Sequence, residues 1–235
     1  MNQTLLLAFW RQRLSSPVRM VILSAMIFLP LLFIAAMRGI GFAALGDAQT
    51  IALLFAVGLI GQDVSTGVLQ LLLARPVRRW EYVIQRWLGA AIAATAVCWL
   101  QALIAWGLMN LRGSAPGLDE LLVFAAGRAI DVFGVVAVVT LLSSLIGGYG
   151  DLALYLLFSV GVSIVGLAAQ ALGWHPIQPL VQIAGDFLKP GIELAQIRAG
   201  APSCYAIASY FSTVALALWL AVVAVNRKEL SYASS

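Results

Sequence analysis

Six apolar runs, at 20–37, 44–62, 87–111, 121–146, 152–172 and 206–225, dominate the sequence. An α-helix needs about 20 residues to cross ~30 Å of hydrocarbon, and each run is near or above that length. No water is present at that depth to satisfy backbone N–H and C=O groups, so a chain of this kind must cross as helices that bond internally. The expectation is an all-α membrane protein with six transmembrane helices, forming one domain over residues 1–235. Only 10% of residues are charged and 62% are hydrophobic, against roughly a quarter charged in an average soluble domain. The segments between runs are too short for a soluble domain of ordinary size.

Residues 1–19 put Leu5, Leu6, Phe9 and Trp10 on one side of a helix, with Arg11, Arg13 and Arg19 available to anionic headgroups. That pattern predicts an interfacial helix. The first run follows it without a small-residue cleavage site, as a retained anchor does, and Pro30 predicts a kink in it. The run at 44–62 is the weakest, since Asp47 and Gln49 stand near its outer end. Gln101 is the main polar interruption of the third. Arg128 and Asp131 fall three apart in the fourth, on one side of a helix, where they form either an intramembrane ion pair or a pair at the interface. The Gly147-Gly148-Tyr149-Gly150-Asp151 turn makes runs four and five antiparallel neighbours. In run five, Gly161, Ser163 and Gly166 suit close helix contacts, and in run four Ser143 and Ser144 suit packing or bonds to carbonyls of their own helix. Residues 173–205 contain Pro176, Pro179, Pro190 and Pro202. They are expected to form one or two short helices at or dipping into the surface.

Six spans place both termini on one side. That side collects Arg11, Arg13, Arg19, Arg75, Arg78, Arg79, Arg86, Arg227 and Lys228, against Arg38, Arg112, Lys189 and Arg198 on the other. The bias predicts cytoplasmic termini in a cell membrane, a cytoplasmic loop at 63–86 and an external loop at 173–205. It also accounts for the net charge of +4 without nucleic acid as a partner; membrane lipid is the expected one.

Several chemistries are excluded or unsupported. A P-loop needs a Gly-rich turn followed by Lys and a hydroxyl residue, and the two lysines, Lys189 and Lys228, stand in no such turn. One histidine, His175, with no HExxH or paired-thiol spacing gives no metal motif. No Gly-x-Ser-x-Gly elbow occurs. Cys98 lies mid-span and Cys204 in a late loop, which disfavours a disulfide between them. The chain is therefore not expected to be an enzyme or to hold a cofactor.

The loop at 63–86 mixes acid, base, a helix breaker and an amphipathic pattern. Asp63 is placed to cap a short helix, Val64, Val68, Leu71 and Leu72 recur as an apolar stripe, and Pro76 stops the helix near Arg75. Arg78, Arg79, Trp80, Glu81, Tyr82, Arg86 and Trp87 are cations and aromatics suited to headgroups. The order Asp63, Gly67, Leu71, Leu72, Pro76, Arg79, Tyr82 and Arg86 resembles the cytoplasmic loop of ABC-2 type permeases, the membrane subunits of ATP-binding cassette exporters. Lys is more usual there at the position of Arg86. A weaker likeness is Thr140-Leu141-Leu142-Ser143-Ser144-Leu145, where Gly147 and Gly148 stand in place of the family's following basic residue.

The resemblance implies six helices, an N-terminal interfacial helix and a coupling helix between spans two and three. It also implies short or re-entrant helices before the last span, and two permease copies joined to two nucleotide-binding ATPase subunits that supply ATP and Mg. Under it, Asp63, Gly67, Val68, Leu71, Leu72, Arg75, Pro76, Arg78, Arg79 and Tyr82 would couple the spans to the ATPase. Alternatives are a secondary transporter driven by an ion gradient through Arg128 and Asp131, a small intramembrane enzyme, and a membrane anchor for a cytoplasmic partner.

Overall fold

The structure, a computed structural model, describes Trp10 and residues 16–37, 39–67, 78–198 and 204–232. Among them all regular structure is helical. Six segments are long and apolar enough to cross a membrane: α1 (Pro17–Ala36), a composite second span over Phe42–Ser65, α4 (Arg79–Leu111), α5 (Leu118–Leu145), α6 (Gly150–Ala171) and α9 (Cys204–Tyr232). The second span comprises a 3-10 turn at Phe42–Leu45, then α2 (Ala48–Ala56) and α3 (Gly61–Ser65). Short helices α7 (Gln178–Leu188) and α8 (Leu194–Arg198) fill the segment before α9. Of the expected interfacial helix only Trp10 and the residues from Ser16 on are described; Trp10 is helical, and its indole N–H donates to the Gly89 carbonyl at 3.0 Å.

The core forms where small residues let helices approach. On α4 the stripe Ala90, Ala91, Ala94, Cys98, Ala102 and Ala105 recurs at helical spacing and is buried. Facing it are Ile51, Ala52 and Phe55 of α2 and Val132, Val135 and Val139 of α5. With lipid tails as apolar as leucine, close packing rather than water exclusion holds such helices together. Ala217, Ala221 and Val225 bring α9 against Ala137 and Leu141 of α5. Peripheral α1 and α6 leave most of their large apolar side chains outward, among them Phe28, Leu32, Leu157 and Ile164. Close contact explains Gly166, where a Cβ would meet Val181 of α7 at 3.1 Å, but Gly161 faces open space and Ser163 bonds back to the Ser159 carbonyl.

Pro30 removes an N–H, which leaves the Met26 carbonyl of α1 without its i+4 donor. Gln101 of α4 supplies one, with Nε2 at 3.1 Å. The guanidinium of Arg112 caps the end of the same helix, donating to Ile34 O at 2.8 Å. The sequence-level kink and the polar interruption of run three are thus two halves of one contact. Helix α4 starts at Arg79, two turns before the expected 87. Tyr82, Val83 and Arg86 fall on the face that continues to Ala90, so they turn inward; Trp80, on the opposite face, stays exposed.

Candidate functional site

Two polar assemblies stand at opposite ends of the bundle. The first lies at the Arg19 end, where span two is broken. Gly58 takes φ +68°, and residues 57–60 leave helical pairing. In hydrocarbon an unpaired amide costs several kcal/mol, and here side chains from elsewhere pair them. The Asp151 carboxylate, fully buried at the start of α6, accepts from Gly58 N at 2.6 Å and from Leu152 N at 2.8 Å. The Ser143 hydroxyl accepts from Ile60 N and Gly61 N, both at 3.0 Å. Gly148 N donates to Gly61 O at 2.8 Å, and a Cβ on Gly61 would lie 2.6 Å from the Gly148 carbonyl. Only glycine allows that approach. Ser143 therefore bonds across to span two and not within its own helix as expected; Ser144 does bond within, to Leu141 O at 2.6 Å.

Beside this seam, Asp63 is buried within α3 and does not cap a helix. Its carboxylate accepts from the Tyr82 hydroxyl and forms an ion pair with Arg86, both on α4. Helix α3 ends at Ser65, with Thr66 as C-cap and Gly67 at φ +71°, so the helix holding Asp63 does not run on to Arg75 as expected. A left-handed residue after the last turn terminates a helix, and glycine adopts that conformation without penalty. Val68, Leu71, Leu72, Arg75 and Pro76 lie outside the described residues. Arg78 is the exposed N-cap of α4 and Arg79 its first residue, half-buried. The expected headgroup role fails for Tyr82, Arg86 and Trp87. Trp87 packs edge-on against Phe133 at 5.6 Å and donates to its carbonyl at 3.1 Å. Tyr149 completes the assembly, its hydroxyl accepting from Gln62 and, at 3.1 Å, from Arg19.

The second assembly is a cavity of about 1040 Å³ at the Asp47 end, between α2, α5, α7, α8 and α9. Glu120, Phe124, Arg128 and Asp131 recur along α5 at helical spacing and form one wall. Asp47, Asp186 and Glu193 add acid, and Lys189 and Arg198 add base. The expected contact between Arg128 and Asp131 is not made. Arg128 instead donates from Nη2 to Gly46 O at 2.5 Å and lies over the Phe124 ring at 4.9 Å, while its Nη1 is buried away from solvent with no hydrogen-bond partner among the described residues. The Phe124 ring stacks in turn on Phe42 at 4.4 Å. Asp131 points toward Gly191, where a Cβ would come within 2.8 Å of its Oδ1. It makes no hydrogen bond or ion pair among the described residues. The Gly46 carbonyl, remote in sequence, draws the Arg128 side chain away.

The floor of the cavity is the end of α7. Pro190 O packs so closely on Gly134 of α5 that a Cβ there would lie 2.5 Å away. Leu188 is buried in the main core, and its carbonyl accepts from the fully buried Tyr155 hydroxyl at 3.1 Å, which itself accepts from Gln49 at 2.9 Å. Segment 173–205 thus enters the bundle rather than lying only on its surface. Lys189 at the end of α7 stands 3.7 Å from Asp47, the N-cap of α2, each charge complementing its helix dipole.

Among the described residues no group of three or more His, Cys, Asp and Glu could hold a metal ion, and both cysteines are free. His175 is exposed in a 3-10 turn. No protein-family model, curated protein or solved structure matches the chain. Ser143, Asp151 and Tyr149 were not singled out as site residues from the sequence. A glycine in the middle of span two, with an acid just past the Gly147 turn, was the available signal.

Proposed function

We infer that the chain is the membrane subunit of an ABC-2 type exporter, forming a substrate pathway and taking its energy from a separate ATPase that binds ATP and Mg. The observation that carries this reading is the clamp of Asp63 on Tyr82 and Arg86. It joins the two helices that flank the proposed docking loop, so a push on the loop moves α3 and α4 as one body. Ser143, Asp151 and Gly148 tie that body to the turn between α5 and α6. A cytoplasmic subunit gripping Leu71 and Leu72 would thereby act on four spans. The positive charge near Arg19, Arg78 and Arg86 supports a cytoplasmic address for this end, with both termini there. The outward apolar faces of α1 and α6 suit lipid and a second permease copy.

An ion-gradient transporter gains one point, because broken helices are common in that class. Such breaks line the substrate site near the midplane. The break at 57–60 instead lies toward the Arg19 end, and protein side chains occupy its amides. The coupling reading therefore fits the broken span better.

The test is purification of the full chain from its native membrane. A P-loop ATPase should accompany it in fixed ratio, with a turnover that changes on reconstitution. Leu71→Asp and Leu72→Asp should each release it. Transport by the purified chain alone on a proton gradient would overturn the reading.

A further inference from the structure

We propose that the cavity at the Asp47 end binds a zwitterionic group, an ammonium beside a carboxylate or phosphodiester, with the anion on Arg128 and the ammonium on Asp131. A guanidinium has five N–H donors in a fixed fork. That of Arg128 lines the cavity, held in place by Gly46 O and by the Phe124 ring, and among the described residues no carboxylate pairs with it. Three residues on, the Asp131 carboxylate faces the same space without a donor. Side chains at i and i+3 have Cβ atoms about 5–6 Å apart on one helix face, a spacing that suits opposite charges separated by a few bonds in one ligand.

The neighbouring charges decide between ligand types. A bare anion would satisfy Arg128 but would sit among Asp131, Asp47 and Asp186. A bare cation would satisfy Asp131 but would face the Arg128 guanidinium one turn away and leave it without a counter-charge. Lys189 supplies neither pole, because it already pairs with Asp47. Only a ligand with both charges compensates both groups. The volume is at the upper end of the roughly 300–1,000 Å³ of small-molecule sites. Phe42, Phe124 and Tyr205 provide apolar surface beside the charges, so an attached hydrocarbon portion has a place to lie. The zwitterion can come from a free solute or from a lipid headgroup.

Binding is measured by calorimetry on the full chain in phosphatidylglycerol nanodiscs, with no ATPase present. Leucine, glycerophosphoethanolamine and lysophosphatidylethanolamine are the two-charge probes; acetate, glycerophosphoglycerol, lysophosphatidylglycerol and ethanolamine carry one charge. At least one two-charge probe should bind saturably about tenfold or more tightly than every one-charge probe, the difference of one charge-assisted hydrogen bond. Binding of a soluble probe identifies a free solute; binding of lysophosphatidylethanolamine alone identifies a headgroup. Asp131→Asn should abolish the preference, and Arg128→Gln should lose the anion's share. If Arg128→Gln does not fold, Asp131→Asn decides, since its carboxylate holds no protein donor. Equal binding of one-charge probes, no binding of any, or an unchanged Asp131→Asn overturns the inference. That the bound zwitterion is cargo rests on the permease reading. Binding itself does not, so an empty cavity in a chain that still retains its ATPase overturns this inference alone.

Discussion

The two ends of the bundle treat polar groups in opposite ways. At the Arg19 end the backbone is broken, yet the freed amides of Gly58, Ile60 and Gly61 are taken by Asp151 and Ser143, and the buried Asp63 by Tyr82 and Arg86. At the Asp47 end the Arg128 guanidinium and the Asp131 carboxylate line one cavity, and among the described residues neither forms an ion pair. The first arrangement fixes a geometry, because each buried group would be costly to unpair. The second keeps two uncompensated opposite charges beside a cavity. A rigid junction at one end and a receptive site at the other are what a transport subunit needs if force enters at one and ligand at the other.

The largest effect expected from breaking this contrast is at Asp63. Asp63→Ala takes the carboxylate away from the Arg86 cation and the Tyr82 hydroxyl, and removing one partner of a buried pair costs roughly 3–5 kcal/mol. Reversible unfolding in mixed micelles should show a loss of that size, and Asp63→Asn, which keeps an acceptor, a smaller one. A loss under about 1 kcal/mol would mean that water reaches the clamp and that the junction is not a rigid unit. Next comes Gly61→Ala. Its Cβ would meet the Gly148 and Ile146 carbonyls at 2.6 and 2.8 Å, backbone atoms that cannot swing aside. Overpacking of this kind costs about 1–3 kcal/mol. Gly161→Ala, with nothing within 4 Å of its Cβ, serves as the control and should unfold like the parent chain.

Much of the fold was legible in the sequence because hydrocarbon thickness fixes helix length and unpaired amides are forbidden. The six spans, the antiparallel α5 and α6 about Gly147–Asp151, and the non-spanning 173–205 segment all follow from those two constraints. Contacts between distant residues did not follow. Periodicity assigns Tyr82 and Arg86 to a helix face, but whether that face meets lipid or Asp63 depends on where α3 ends, which Gly67 determines. Likewise Arg128 and Asp131 share one face of α5, and what turns Arg128 away is the Gly46 carbonyl, to which no helical rule points. Gln101 and Pro30 stand 71 positions apart in the sequence, each interrupting its own run. Their pairing depends on α1 and α4 lying side by side.

That pairing gives a smaller effect with a built-in rescue. Gln101→Leu removes the donor to Met26 O and should cost about 0.5–1.5 kcal/mol, the net worth of a single hydrogen bond. In a Pro30→Ala background the Met26 carbonyl regains the i+4 amide, so the same Gln101→Leu change should cost less. A double-mutant cycle over the four chains measures the difference. Additive effects would show that the Gln101 contact does not compensate for Pro30.

The smallest effect belongs to the open end. Lys189→Gln removes a 3.7 Å pair with Asp47 whose two side chains are 51% and 57% exposed, and exposed pairs contribute about 0–1 kcal/mol. Its unfolding should nearly match that of the parent chain. The same change leaves Asp47 without its cation beside Asp131, so the cavity becomes more acidic while the fold stays intact. Ethanolamine should then bind more tightly than it does to the parent chain, and glycerophosphoglycerol less. A Lys189→Gln chain that melts as early as Asp63→Ala would show that the Asp47 end is as tightly locked as the Arg19 end, and the contrast between them would be lost.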